Sequence, residues 1–424
     1  MDPALPTGQS RVRDYLGRAL EYASKATTTK RRRAKNKVFG IWTDFCHREG
    51  KPGTLDGMQP EEKLNYLLAF AMLYRLHGQK GKQVRAKTVS NALTAVGKGF
   101  TDLGRQDPRI DPRTNKLYPV LDDLFTGLRN EDPPESRSYP VNITIIRELW
   151  DALDLDHKRL GYLQTHTIDL IIVAFFWLLR PAEYLLTPDA EGRSQAFRLC
   201  DVQFTIKSRI YSALTAPLHD ENGPIDQDAF ARSITCASLT FSDQKNAVKG
   251  EQIGQSATND PDLCPAKALG RIVHHLRTHD APPTTPLYMF YNTHPSERKW
   301  YSIKSGFVTT ALRHATERTK QITGVDPDLI SARSLRPGGA TALLCANVDS
   351  DSIMLLGRWK SDAMLRYLRI QAKSSRFAQR MLDHGAYTFH PQAFLNQQPP
   401  NEAPAAVHDL LQHLDLCDAD ADEV

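Results

Sequence analysis

Between Asn130 and Pro140 the chain reads NEDPPESRSYP, and these eleven residues limit what the rest can become. Three prolines remove backbone donors and break helices, and the alternating charges cannot line a core. We read residues 130–142 as a linker, so that hydrophobic cores must form on either side of it. Upstream the pattern is helical throughout. Residues 11–23 carry Tyr15, Leu16, Leu20 and Tyr22, and residues 29–48 carry Val38, Ile41, Trp42 and Phe45 behind a basic first half. Pro60, followed by Glu61 and Glu62, opens a helix that runs to His77, where Gly78 ends it. Further helices are expected at residues 87–103 and 121–129. Downstream the pattern is mixed. Residues 143–153, 163–179, 265–279, 306–322, 338–346, 350–356 and 361–380 read as helices, and residues 197–206 and 233–241 as strands. The intervening residues 207–232, which contain HDENGP, read as an insertion or mobile loop.

The expected fold is therefore mainly α with a small β-sheet. It has a flexible N-terminus at residues 1–10, an all-α domain at 11–129, the linker, a mixed α+β domain at 143–385, and a tail at 386–424 with an acidic end. A length of 424 residues suits two or three domains, and 41% hydrophobic residues suffice for real cores. Net charge is only +5, but it is unevenly spread. Nine Lys/Arg lie between Lys25 and Lys51, whereas residues 401–424 hold seven Asp/Glu and no Lys or Arg. The first cluster points to a polyanionic partner and the second to a solvated tail. Six dispersed cysteines without a CxxC pair fit a reducing compartment. The most apolar run, residues 168–179, falls well short of the roughly 20 residues needed to span a bilayer, so a soluble protein is expected.

The chemistry-bearing residues concentrate in the second domain. Tyr367 lies in an expected helix opened by Ser361 and Asp362. A phenol with a pKa near 10 attacks a phosphodiester only where positive charge stabilises both the phenolate and the transition state. Arginines supply such charge. Arg336 precedes Pro337-Gly338-Gly339, which places it at a helix N-terminus suited to phosphate. Arg180 ends the apolar run FFWLLR, with Pro181 breaking the helix and Glu183 three residues on. A charge abutting such a core must be paired or functional, and an ion pair with Glu183 is compatible with both. Lys245 lies in a turn-rich stretch between two strand-like runs, with Lys249 as a competitor. An ammonium there could protonate a leaving 5′ oxygen, a task that suits a guanidinium poorly.

In this order the residues resemble the tyrosine recombinase/integrase family. Leu179-Arg180-Pro181-Ala182-Glu183-Tyr184 matches its LR-x-x-E-L motif, Lys245 its hairpin lysine, and Arg336 the arginine of its His-x-x-Arg. Gly357 is followed by Arg358, and Tyr367 stands nine residues later, in the register of the family nucleophile. The wording SLRPGGAT, LGRWKSDAMLRYLR and CPAKAL is most similar to recombinases of eukaryotic mobile elements, the Crypton and DIRS-type groups. Two positions depart from the pattern. Arg333 stands where the family has histidine, replacing a group that exchanges protons near neutral pH with a permanent cation. Arg358 occupies the His/Trp register with Trp359 one residue later, and either could fill that role.

The resemblance implies a helical core-binding domain followed by a catalytic domain, and a reaction on double-stranded DNA. Tyr367 would form a 3′-phosphotyrosyl link while Arg180, Arg336 and Arg333 hold the phosphate and Lys245 protonates the 5′ oxygen. It implies no metal, cofactor, membrane or small-molecule substrate. It also implies a homo-oligomer, a tetramer on DNA that exchanges a C-terminal helix drawn from residues 371–414. A nuclear location follows if the host is eukaryotic, and an intracellular one otherwise. Lys30, Arg31, Arg32, Arg33, Lys35 and Lys37 are candidates for one arm of a clamp on the duplex, and Lys80, Lys82, Arg85 and Lys87 form a second basic cluster. The competing readings are a catalytically idle, recombinase-derived DNA-binding protein and a type IB topoisomerase-like enzyme.

Overall fold

A computed structural model of the chain describes residues 8–24, 29–134, 139–152, 161–186, 195–221, 223–241, 250–294, 297–360, 365 and 368. Its first part comprises α1 (Gly8–Ser24), α2 (Thr29–Arg48), α3 (Pro60–His77), α4 (Ala86–Asp102) and α5 (Pro119–Glu131). Pro60 at the first helical position needs no N–H donor, and Glu62 accepts the Gln59 N–H at 3.0 Å, which fixes the start of α3. Gly78, at φ 48°, ends that helix and donates to the Tyr74 carbonyl. Between α4 and α5 lies a ribbon that helical periodicity does not reveal, β1 (Ile110–Asp111) paired with β2 (Lys116–Leu117). Two successive Asp-Pro-Arg turns shape it: Asp107 and Asp111 accept the backbone N–H groups of Arg109 and Arg113 at 3.0 and 2.9 Å. The core of this part is built around Trp42. Its ring meets Phe70 edge-on at 5.2 Å, and its Nε1 donates to the Gly53 carbonyl at 2.7 Å.

A second, separate core collects the elements after residue 140. In chain order they are α6 (Ile143–Asp151), α7 (Gly161–Phe176), the one-turn α8 (Pro181–Tyr184), β3 (Val202–Ile206), β4 (Arg209–Ser212), β5 (His219–Asp220), β6 (Gly223–Pro224), α9 (Gln227–Ser233), β7 (Ile234–Phe241), β8 (Glu251–Ser256), α10 (Pro265–Thr278), β9 (Met289–Asn292), β10 (Lys299–Ser302), α11 (Ser305–Thr323), α12 (Leu335–Cys345) and α13 (Ser350–Gly357). The main sheet is antiparallel, in the order β4-β3-β7-β8. The fold is mainly helical with small antiparallel sheets, the expected class. Residues 207–232 are not a loop. They contain β4, which pairs along β3, the β5–β6 ribbon, and α9, whose buried Phe230 packs on Phe204 at 5.8 Å. Burial of Phe230 and Ala231 outweighs the turn signals of HDENGP. Among the described residues no helix is long and apolar enough to cross a membrane.

The stretch read as a linker is tied down at both described ends. Asp132 pairs with buried Arg75 and accepts the Ala86 N–H at 2.9 Å, while Arg85 Nη2 donates to the Pro134 carbonyl at 3.0 Å. On the other side Tyr139 N–H donates to Leu329 O and Val141 N–H to Ser334 O, both at 3.1 Å, along the segment that leads into α12.

Candidate functional site

Two helix ends face each other to make the site. The backbone leaves α7 with Leu178 at φ 51°, its N–H bonded to Phe175 O at 3.3 Å and that of Leu179 to Ala174 O at 2.9 Å. The backbone leaves α13 in the same way, with Arg358 at φ 59°, its N–H bonded to Leu355 O at 3.1 Å and that of Trp359 to Met354 O at 3.0 Å. Both ends are Schellman motifs, and neither has the glycine that such a left-handed position favours. Each therefore presents carbonyl oxygens at the negative end of a helix, and arginines take them. Arg336 Nη1 donates to Leu178 O at 2.6 Å and Nη2 to Gly357 O. Arg358 donates from Nη1 to Trp177 O at 3.0 Å and from Nη2 to Leu178 O at 3.2 Å.

Glu183 lies at the centre. As the third residue of α8 it accepts the backbone N–H of Arg180 at 2.8 Å, which caps the turn, and its Oε1 accepts Arg180 Nη1 at 3.1 Å. Its Oε2 also accepts Arg358 Nη2 at 3.1 Å. The carboxylate is buried, which alone would raise its pKa, but Arg358, Arg180 and Arg336 together hold it below the usual value of 4.5. Burial pulls the Arg358 guanidinium down to about 10, so it stays charged at neutral pH. Aromatic faces complete the packing. Arg336 Cζ lies 4.2 Å from the centre of the Trp359 ring, and Arg358 Cζ lies 3.9 Å from that of Phe241. The Trp359 ring rests directly on Gly357, where no side chain would fit.

Helix α12 reaches this place because it carries Gly338 and Gly339. A Cβ at Gly338 would stand 2.2 Å from the Val141 carbonyl oxygen, and one at Gly339 would stand 2.3 Å from that of Phe175. Just before α12, Tyr184 donates its hydroxyl to Ala332 O at 2.9 Å, and Thr309 Oγ1 accepts the Ala332 N–H at 3.1 Å. That anchors the 3₁₀ turn bearing Arg333, whose side chain is exposed.

The structure thus brings Arg180 and Arg358 onto Glu183, and Arg336, stacked on Trp359, onto the Leu178 carbonyl that Arg358 shares, with Arg333 exposed two residues from Ser331, the cap of the same turn. Lys245 and its competitor Lys249 lie outside the described residues. The strands flanking them do not: Trp177 Nε1 donates to Ile253 O and Gln255 Nε2 to Phe176 O, both at 2.9 Å, so β8 is stitched to the end of α7. Tyr367 and the helix expected at residues 361–380 also lie outside, apart from Leu365 and Leu368. Leu368 packs on the cluster of Leu178, Ala340, Ile353 and Trp359. The tail after residue 386 falls outside too.

The DNA-binding candidates stand on the helical part. On α2, Arg31, Arg32, Arg33 and Lys37 are exposed and Lys35 half-buried; Lys30 is in the helix. Lys80 and Lys82 are exposed in the loop before α4, Arg85 caps that helix, and Lys87 is half-buried in its first turn. The features that sequence reasoning does not supply are backbone ones, the Trp177, Leu178 and Gly357 carbonyls, together with the Phe241 ring. No motif signals a carbonyl.

No protein-family model matches this sequence, and no curated protein matches it. Among solved structures, it is similar to the Tn1549 transposon integrase (residues 82–397) in complex with circular intermediate DNA, at 12% identity over 78% of this chain and 86% of that one, with a TM-score of 0.39. It is also similar to a lambda integrase (75–356) dimer bound to a COC′ core site, at 12% identity, 89% and 98% coverage and a TM-score of 0.42. XerH site-specific recombinase bound to palindromic difH substrate gives 12% identity, 78% and 74% coverage and a TM-score of 0.42. At such scores the functional reading rests on the site's own geometry.

Proposed function

We propose that this chain cuts and rejoins double-stranded DNA through a covalent tyrosyl intermediate. The observation that carries the reading is the convergence of three arginines far apart in sequence: Arg180 and Arg358 share the buried Glu183 carboxylate, and Arg336 and Arg358 share the Leu178 carbonyl, with exposed Arg333 on the adjoining turn. Arg180, Arg336 and Arg333 are the groups proposed to meet the non-bridging oxygens of a phosphate, whose charge grows in the transition state. Tyr367 is the proposed nucleophile. Its hydroxyl gives its proton to water as the oxygen bonds to phosphorus, the bond from phosphorus to the 5′ oxygen breaks with a proton supplied by Lys245, and a 3′-phosphotyrosyl link remains. Attack by another 5′-OH reverses the steps, and the bond energy is conserved throughout. The basic face of α2 and the Lys80–Lys82 loop supply backbone contacts to the duplex. A tetramer on DNA, a mobile-element origin and a nuclear location belong to the same proposal.

The test is covalent trapping. The protein is incubated with nicked duplexes carrying the end sequences that flank its own gene and then denatured. A protein–DNA adduct that is absent for Tyr367→Phe is the expected result. One observation favours a second reading, a DNA-binding protein without catalysis: Arg333 replaces the proton-exchanging histidine with a permanent cation. Tight, salt-sensitive binding with no adduct would support it and overturn strand transfer.

A further inference from the structure

Arg358 occupies the register in which a direct phosphate contact is expected, yet its surroundings assign it another task. Its guanidinium is committed inward: to the Trp177, Leu178 and Leu356 carbonyls at 3.0–3.2 Å, to Glu183 at 3.1 Å, and with Cζ 3.9 Å from the centre of the Phe241 ring. The side chain is 2% exposed, against 17% for that of Arg180 on the other side of the same carboxylate. The backbone agrees. Arg358 adopts φ 59° where glycine would be unstrained, so the side chain is retained against a conformational preference.

We infer that Arg358 is a positioning residue rather than a phosphate ligand: it fixes Glu183, and through Glu183 sets the placement of Arg180, while Trp359 does the corresponding work beneath Arg336. The inference rests on the strand-transfer reading for its consequence, the cleavage rate, but not for its geometry. A guanidinium with its Nη atoms on three carbonyls and a carboxylate locks the ends of α7, α8 and α13 into one unit. Removing it frees Glu183 to swing and Arg180 to follow. Displacement of a positioned group by about 1 Å lowers a rate by about 100-fold without requiring weaker substrate binding.

The experiment uses the full chain and compares wild type, Arg358→Lys, Glu183→Gln, the double variant of these two, Arg358→Met and Arg333→Ala. Three quantities are read: the melting temperature, the salt dependence of equilibrium binding to the flanking-end duplex, and the single-turnover rate of adduct formation at saturating DNA. Lysine at 358 keeps the charge, so the slope is read from Arg358→Met, which is expected to leave it unchanged because Arg358 neutralises no phosphate. Arg333→Ala, if it leaves one phosphate without its cation, lowers the slope by about 0.9. The cleavage rate of Arg358→Lys should fall by about 100-fold, and adding Glu183→Gln should lower it no further, because the two act as one unit. A salt slope for Arg358→Met that drops like that of Arg333→Ala, or rate losses that multiply in the double variant, overturns the proposal. Should wild type bind DNA without forming an adduct, the strand-transfer reading fails by itself. The salt slope and the coupling of Arg358→Lys with Glu183→Gln in melting temperature then decide this one: an unchanged slope with coupled melting supports it, and independent melting losses overturn it. Arg358→Met also replaces Arg358→Lys in the rate and melting comparisons should Arg358→Lys not fold.

Discussion

The sharpest consequence of the packing concerns Gly338. An added Cβ would lie 2.2 Å from the Val141 carbonyl oxygen, whereas ordinary contact begins near 3.4 Å, so α12 must retreat by about 1 Å. The obstacle is backbone, itself held by the Val141 N–H bond to Ser334 O at 3.1 Å, so no side-chain rotation relieves it. Overpacking of this kind costs about 1–3 kcal/mol, which in a unit of this size lowers the melting temperature by roughly 2–10 °C. Arg336 lies two residues away in the same turn. A shift of that size stretches its 2.6 Å bond to Leu178 O to about 3.6 Å, which is no longer a hydrogen bond. Gly338→Ala should therefore melt early and form adduct about 100-fold more slowly. The matched control is Gly127→Ala in α5, where nothing lies within 4 Å of the added carbon. There the substitution should stabilise by about 0.5–1 kcal/mol through helix propensity. Differential scanning calorimetry of both variants, with trapping assays beside it, checks the argument. If Gly338→Ala melts with wild type and cleaves at the wild-type rate, the close approach of α12 to residue 141 does not hold the site.

Other outcomes follow from charge and burial. Breaking the buried Glu183–Arg358 pair with Glu183→Ala should cost about 3–5 kcal/mol, measured by urea unfolding at pH 7. Because the folded pKa of Glu183 is depressed, its contribution is fully present above the unfolded value of 4.5 and is lost as pH falls towards the folded one. The acid limb of the stability profile should accordingly be shallower in Glu183→Gln. Burial holds His166 at about 4 and His275 at about 3, against 6.5 for a free imidazole. The unfolded chain then takes up two protons that the folded one refuses, so stability should fall by up to about 2.7 kcal/mol per pH unit below 6.5. A flat profile between pH 5 and 6.5 would contradict that burial. On α2, replacing Arg31, Arg32 and Arg33 together by Ala should reduce the salt slope of duplex binding by about 0.9 for each phosphate that these arginines neutralise, and an unchanged slope would remove the three arginines from the clamp.

Legibility in the sequence tracks the kind of group that does the work. Thr29–Arg48 and Pro60–His77 are legible to the residue because side-chain periodicity and punctuation by Pro and Gly coincide there. The apolar pattern carries α7 on to residue 179, whereas the helix ends at Phe176, because Leu178 turns left-handed without the glycine that usually announces it. Residues 207–232 read as a loop because turn residues dominate locally. Yet α9 is only seven residues long and is stabilised by packing on α10 rather than by its own propensity. In the site, the Arg180–Glu183 pair follows from spacing three apart on one helical turn. The choice between Arg358 and Trp359 does not follow from sequence. It depends on which way the chain faces after a left-handed residue: Trp359 lies under Arg336 and Arg358 turns to Glu183.

That left-handed geometry makes one more prediction, at Leu178. Its side chain is 1% exposed, within the cluster that holds Ala340, Ile353 and Trp359, so truncation removes packing worth about 2–5 kcal/mol. Its backbone, at φ 51°, also carries a strain of about 1–2 kcal/mol for any residue with a Cβ. The two effects separate by comparing Gly with Ala. Both substitutions lose the leucine packing, but only glycine releases the strain, so Leu178→Gly should be more stable than Leu178→Ala by about 1 kcal/mol. At Leu170, equally buried but inside α7, the order should reverse by a similar amount, because glycine there carries only its helix penalty of about 1 kcal/mol. Four melting curves decide the matter. If alanine is the better residue at both positions, the end of α7 is not held in the left-handed turn that presents the Leu178 carbonyl to Arg336 and Arg358, and the arginine cluster loses its common acceptor.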